Sequence, residues 1–241
     1  MPHPADRPGR HDRRTLLRAV LAGGAVLGAG IALPAAPAVA AGRGTGRPGT
    51  PAAALRALRH GNHRWSTRHQ THPHESDDDR LPAVSGQHPF AVVLGCVDSR
   101  VPPELVFDQG LGDPMTVRSA GCVLDEAVLG SIAYGILELD VPPVTVLGHQ
   151  SCGAVAAAVH ADETGEDLPA HISYVAEQIR PAIDHVQTGP ARVDATITAN
   201  VRLVRSRLAA GPDLAARTAT GRLAVVGARY ELATQEVHAV T

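Results

Sequence analysis

The sequence has no lysine: all 22 of its Lys-or-Arg positions are arginine, and its 241 residues include one Trp, three Tyr and two Phe. So few rings exclude the aromatic platforms on which nucleic-acid bases stack, and they leave Val, Leu, Ile and Ala to build any core. Positive charge is not in excess either. The formal net charge is -2, and because residues 1–40 hold five Arg and two Asp, the remainder carries 17 Arg against 22 acidic groups. That balance excludes a phosphate backbone as partner. Cysteine is scarce: Cys96, Cys122 and Cys152 cannot all pair within one chain, and a chain of this length buries enough surface to stand without a disulfide framework. Metal ligation is the better question for these thiols.

What is present begins with an address. Arg13-Arg14 precedes an uncharged run over residues 19–33, then Pro34 and the small-residue triplet Ala38-Val39-Ala40. This pattern reads as a twin-arginine-type signal peptide over residues 1–40, cleaved after Ala40. The run is shorter than the roughly 20 residues that span a bilayer. The competing reading is an uncleaved anchor extending to Ala41. The expected location is therefore exported: periplasmic, cell-wall or extracellular, with no stable membrane insertion after cleavage. Residues 41–51, rich in Gly, Pro, Thr and Arg, read as a disordered linker, and residues 52–241 as a single domain.

Within that domain, residues 52–67 show helical spacing in Leu55, Leu58 and Trp65. The polar stretch 69–80, with its acidic run at 75–79, reads as a solvated loop. Short apolar runs then alternate with helical segments: strands are expected over 90–95, 115–119 and 144–148, with a helix over 125–139 between the last two. Further helices are expected over 154–160, 172–186 and 192–208, and a final strand over 223–232. This alternation predicts an α/β fold with a mainly parallel central sheet flanked by helices.

Cys96 falls just after the first strand, and His149 and Cys152 just after the third. In open parallel sheets ligands gather at the carboxyl ends of strands, so two loops there bring the three side chains together. Two thiolates and an imidazole suit zinc, and three protein ligands leave a fourth tetrahedral position for water. A Cys96–Cys152 disulfide is the competing reading, and it leaves His149 without a role. Asp98 and Arg100, two and four residues past the first ligand, have the spacing of a bidentate carboxylate–guanidinium pair. A carboxylate so placed can orient a zinc-activated water, and zinc lowers the pKa of that water to about 7.

The segments Cys96-Val97-Asp98-Ser99-Arg100-Val101-Pro102-Pro103-Glu104 and Gly148-His149-Gln150-Ser151-Cys152-Gly153-Ala154 resemble the β-class carbonic anhydrases, as do residues 107–113 and 227–231. The resemblance implies a sheet of four strands plus an edge strand, N-terminal helices that embrace a partner, and a homodimer or higher even oligomer. It implies one zinc per subunit and reversible hydration of carbon dioxide to bicarbonate. By match to the family, Gln87 hydrogen-bonds substrate oxygen, Tyr134 lines the pocket, and the amide of Gly153 contacts an anion. Three positions depart from the pattern. Met115 stands where Phe is frequent, Cys122 where Asn is usual, and Val93 where one subgroup carries a Trp linked to bicarbonate inhibition. Cys122 reads as a buried thiol or a rival zinc ligand. Two other functions fit the same residues: hydrolysis of carbonyl sulfide or carbon disulfide, and a non-catalytic zinc protein that binds an anion. With thirteen His in the chain, none is singled out as a proton shuttle.

Overall fold

The computed structural model describes residues 46–241; the expected signal peptide and the first part of the expected linker lie outside them. Residues 46–51 differ from the disordered linker expected there. Arg47 donates to the carbonyls of His88, Gly112 and Leu111 and pairs with buried Asp113 at 3.3 Å. Thr50 then caps the first helix by accepting from the Ala53 amide, with Pro51 at its first position. A fixed guanidinium with several acceptors offsets the entropy of ordering so few residues.

The helix α1 (Pro51–Ser66) is followed by α2 (Asp77–Ala83), β1 (Ala91–Gly95), α3 (Pro103–Val106) and β2 (Pro114–Arg118). Then come α4 (Glu126–Leu137), β3 (Pro143–His149), α5 (Gly153–Thr164), α6 (Ile172–Ile179), α7 (Gly189–Ala210), α8 (Pro212–Ala219), β4 (Ala224–Tyr230) and β5 (Val237–Val240). The strands form one sheet in the order β2-β1-β3-β4-β5. The first four strands run parallel, and β5 pairs antiparallel with β4. Every residue of β1 and β3 is buried, as expected for central strands covered on both faces.

The two faces are covered unequally. On one, Val92, Leu94, Val144 and Val146 pack against Ile132 and Ile136 of α4, Val155 and Val159 of α5, and Val201 and Val204 of α7. On the other, Val93, Leu147, Ala228 and Tyr230 meet Ala54 and Leu58 of α1 and Val106 beside Phe107. Trp65 Nε1 donates to Tyr230 Oη at 3.0 Å, which satisfies both polar tips in this thinner layer.

Three differences from the expected elements have local causes. The run 75–79 is not wholly loop: Ser76 and Asp79 form a capping box that starts α2, a helix with no buried residue. The helix expected over 172–186 stops at Ile179, because Pro181 supplies no amide and the chain tightens into a 3₁₀ turn over Arg180–Ala182. Short α3 and α8, each opened by a proline, carry too few turns to show periodicity.

Candidate metal centre

After β2 the chain crosses over β1 to form β3, so β1 lies between β2 and β3. Such a reversal leaves a crevice at the carboxyl ends of the strands. Gly95 stands beside Leu147, so Cys96 leaves the sheet close to His149, the last residue of β3. Cys152 follows through a turn in which Ser151 takes φ +55° and sits at the N-cap of α5, where the helix dipole favours a thiolate. Gly148 is required by packing: a Cβ there would fall 2.4 Å from Val201 on α7.

One ligand atom each from Cys96, His149 and Cys152 lies within 4.8 Å of the others. The two sulfurs are 3.9 Å apart, against about 3.8 Å for two thiolates at tetrahedral angles around zinc with Zn–S near 2.3 Å. Both cysteines are free, so the expected disulfide alternative is not the arrangement seen. His149 is fully buried; its Nδ1 lies 2.9 Å from the Gln150 carbonyl, while Nε2 has no hydrogen-bond partner among the described residues. A donor proton on Nδ1 leaves the Nε2 lone pair aimed at the sulfurs, as a metal ligand requires. These residues fit zinc.

The electrostatics point the same way. The Cys152 thiol hydrogen bond pulls the Cys96 pKa down to about 4; burial opposes this, while His149 and the amides of Asp98 and Gly121 assist. Cys152, sharing that proton and buried, is pushed up in turn. For His149, burial works against protonation, but Cys96, the Gln150 carbonyl and Asp98 outweigh it and raise the pKa. The triad thus pairs a thiolate with a protonated thiol and a basic imidazole, donors that release their remaining protons when a dication binds.

Asp98 and Arg100 form the expected pair. Asp98 Oδ1 accepts from the Arg100 amide and Nε, both at 2.9 Å, and Oδ2 from a terminal nitrogen at 2.7 Å. The Arg100 hydrogen bonds hold the Asp98 carboxyl at about 2 against the opposing effect of burial. Asp98 Oδ2 lies 3.9 Å from His149 Nε2, which puts an ionised carboxylate beside the triad. Arg118, at the end of β2, was not singled out by sequence reasoning. It donates to the carbonyls of Cys96 at 2.8 Å and Asp98 at 2.7 Å and so holds the ligand loop in shape. Its only sequence signal is an arginine at the carboxyl end of a strand next to β1.

Other expected site residues fall elsewhere. Gly153 is the exposed first residue of α5, next to Cys152, with open space where a Cβ would stand. Gln87 is exposed in the loop before β1, and Cys96 follows the far end of that strand, which is roughly 16 Å long. Tyr134 is half-exposed on α4, beside Gly135, which packs on Val92 and Met115 at the start of β1 and β2. One chain does not bring Gln87 or Tyr134 to its own metal ligands. Cys122 is buried with its thiol turned to the Leu147 carbonyl at 3.4 Å. Burial pushes its pKa up, so it is not a ligand in this arrangement.

This crossover sheet, with a Cys-His-Cys centre and a carboxylate–guanidinium pair at its carboxyl edge, has counterparts among known proteins. A family profile described as carbonic anhydrase matches residues 91–237, and the chain belongs to the β-class carbonic anhydrase family. Carbonic anhydrase 2 of Mycobacterium tuberculosis is 44% identical over 184 residues, covering 76% of this chain and 89% of that one. The carbonic anhydrase of Mycolicibacterium smegmatis is 42% identical over 185 residues, covering 76% and 90%. Among solved structures, a tetrameric β-carbonic anhydrase from Sordaria macrospora superposes with a TM-score of 0.62 at 20% identity, over 77% of this chain and 95% of that one.

Proposed function

We propose that this chain catalyses the reversible hydration of carbon dioxide to bicarbonate and a proton, with one zinc ion per subunit held by Cys96, His149 and Cys152. The observation that carries this reading is the unpartnered, buried Nε2 of His149 aimed at two thiol sulfurs 3.9 Å apart, with ionised Asp98 beside it. Zinc, when bound there, supplies the Lewis acidity that lowers the pKa of a coordinated water to about 7. The chain's own residues do the rest. Two thiolates offset the charge of the ion, and the hydrogen bond to Gln150 fixes the His149 ring. Asp98, kept acceptor-only by Arg100, takes a hydrogen bond from the attacking water and orients its lone pair.

A second copy completes the reading. Gln87 and Tyr134 stand away from their own metal ligands, and Leu81 on α2 is 76% and Val84, just past its end, 87% exposed, apolar surface that a partner subunit would cover. We place Gln87 and Tyr134 in the partner's substrate pocket and infer a homodimer or a larger even assembly. The signal over residues 1–40 supports export of the folded chain with its metal already in place. Among the described residues no helix is long and apolar enough to cross a membrane.

The test is stopped-flow carbon dioxide hydration by the chain from Ala41 onward, with zinc assayed in the same sample. The expected result is fast hydration that a chelator removes and added zinc restores. Fully zinc-loaded protein without hydration at neutral or alkaline pH would sink this reading. Turnover of carbonyl sulfide or carbon disulfide by that protein would then identify the reaction.

A further inference from the structure

One wall of the metal centre comes from neither β1 nor β3 but from the turn over Ala120–Cys122. Gly121 and Cys122 both lie in the left-handed region, at φ +62° and +58°, a conformation that costs an L side chain about 1–2 kcal/mol. The turn therefore needs outside support. The Gly121 amide donates to Cys96 Sγ at 3.3 Å. On the other side of the same residue, Asn200 Nδ2, projecting from α7, donates to the Gly121 carbonyl at 2.8 Å. Both flanks of Gly121 are thus tied, one to a metal ligand and one to a helix 79 residues further along the chain.

Asn200 is 4% exposed, flanked along α7 by buried Ile197, Val201 and Val204, and its Oδ1 has no hydrogen-bond partner. With Cys96, His149 and Cys152 it lines a cavity of about 10 Å³, close to the volume that admits one water. Burying an amide whose carbonyl oxygen finds no partner among the described residues is costly in an apolar core. An aliphatic residue would pack better on this face of α7, so what distinguishes Asn is the bond it makes to the turn.

We propose that Asn200 is a positioning residue for the metal centre. It fixes the Gly121 turn so that the Gly121 N–H stays on the Cys96 sulfur, and this sets how strongly that thiolate donates to the metal and how firmly the ion is held. An N–H···S bond withdraws electron density from the thiolate, so its loss leaves a stronger but less constrained donor. The inference rests on the metal reading of the Cys96, His149 and Cys152 triad.

The test replaces zinc by cobalt(II), records the thiolate-to-metal charge-transfer band, and separately times the loss of zinc to a chelator at neutral pH. In Asn200→Ala and in Asn200→Leu, which keeps the number and branching of side-chain heavy atoms, the band moves to lower energy and zinc leaves about 10–100-fold faster. Val204→Ala, buried one turn further along α7, lowers the melting temperature without moving the band. A band at the wild-type energy in both Asn200 variants overturns the proposal, as does an equal shift in Val204→Ala. If both Asn200 variants fail to fold while Val204→Ala folds, Asn200 belongs to the fold and the proposal is wrong. A wild-type chain that takes up neither ion overturns the metal reading itself, a result distinct from these.

Discussion

Asp98 shows how much chemistry the seven-residue loop between β1 and α3 can hold. Arg100 places two donors on Oδ1 and one on Oδ2, which leaves Oδ2 a lone pair for a water, and Arg100 in turn reaches the Ser151 carbonyl at 3.2 Å, so the guanidinium ties the first ligand loop to the second. Asp98→Asn keeps the size of the side chain but turns half of it into a donor, which cannot orient a water lone pair. The expected outcome is a fall in hydration turnover of on the order of 10²-fold with zinc content unchanged. Stopped-flow rates measured beside zinc assays check it; unchanged turnover in zinc-loaded protein would remove the orienting role. The clustering of Cys96, His149 and Cys152 and the pairing of Asp98 with Arg100 were legible because each motif is short and follows a strand. Arg118 and Asn200 were not, because their partners are carbonyl groups 20 or more residues distant, and backbone acceptors leave no trace in a sequence.

Among the elements, the segment between α1 and α2 has an anchor that periodicity could not reveal. Asp108, buried just after α3, accepts from the amides of Thr71 and His72, from the Thr71 hydroxyl and from Arg64. Burial opposes ionisation of Asp108, but the Thr71 amide, Arg64 and the His72 amide outweigh it and lower its pKa. A depressed carboxylate contributes stability above the ordinary value near 4 and loses it as pH falls through the lower folded value. Asp108→Asn is therefore expected to cost about 2 kcal/mol at pH 7. Its deficit against wild type stays constant between pH 5 and 8 and shrinks below about pH 4. Urea unfolding across that range reads the difference; a deficit that persists undiminished at low pH would refute the charge-based account. The strands and longer helices were legible within a few residues of their ends. The exceptions are α2, α3 and α8, held by caps and prolines rather than by an amphipathic stripe, and α6, which ends at Ile179, well short of its expected bound, because Pro181 follows.

For the whole molecule, the separation of Gln87 and Tyr134 from the metal ligands makes assembly a functional question. Sedimentation equilibrium of the chain from Ala41 onward is expected to give an even multiple of the chain mass. Leu81→Asp on exposed α2 together with Val84→Asp just past its end is expected to shift the mass toward the monomer and to lower hydration while zinc remains bound. Dimers that persist with unchanged activity would locate the interface elsewhere. The sequence alone determined the ligand types, their order and the α/β alternation, because these depend on local spacing and on strands too apolar to lie at a surface. Only the tertiary structure decided that the crossover past β1 brings Cys96 within 3.9 Å of Cys152. It also decided that Cys122 turns away to a carbonyl and that Asn200 reaches Gly121. Those outcomes depend on the register of strands and the packing of α7, and both are set by contacts between residues far apart in the chain.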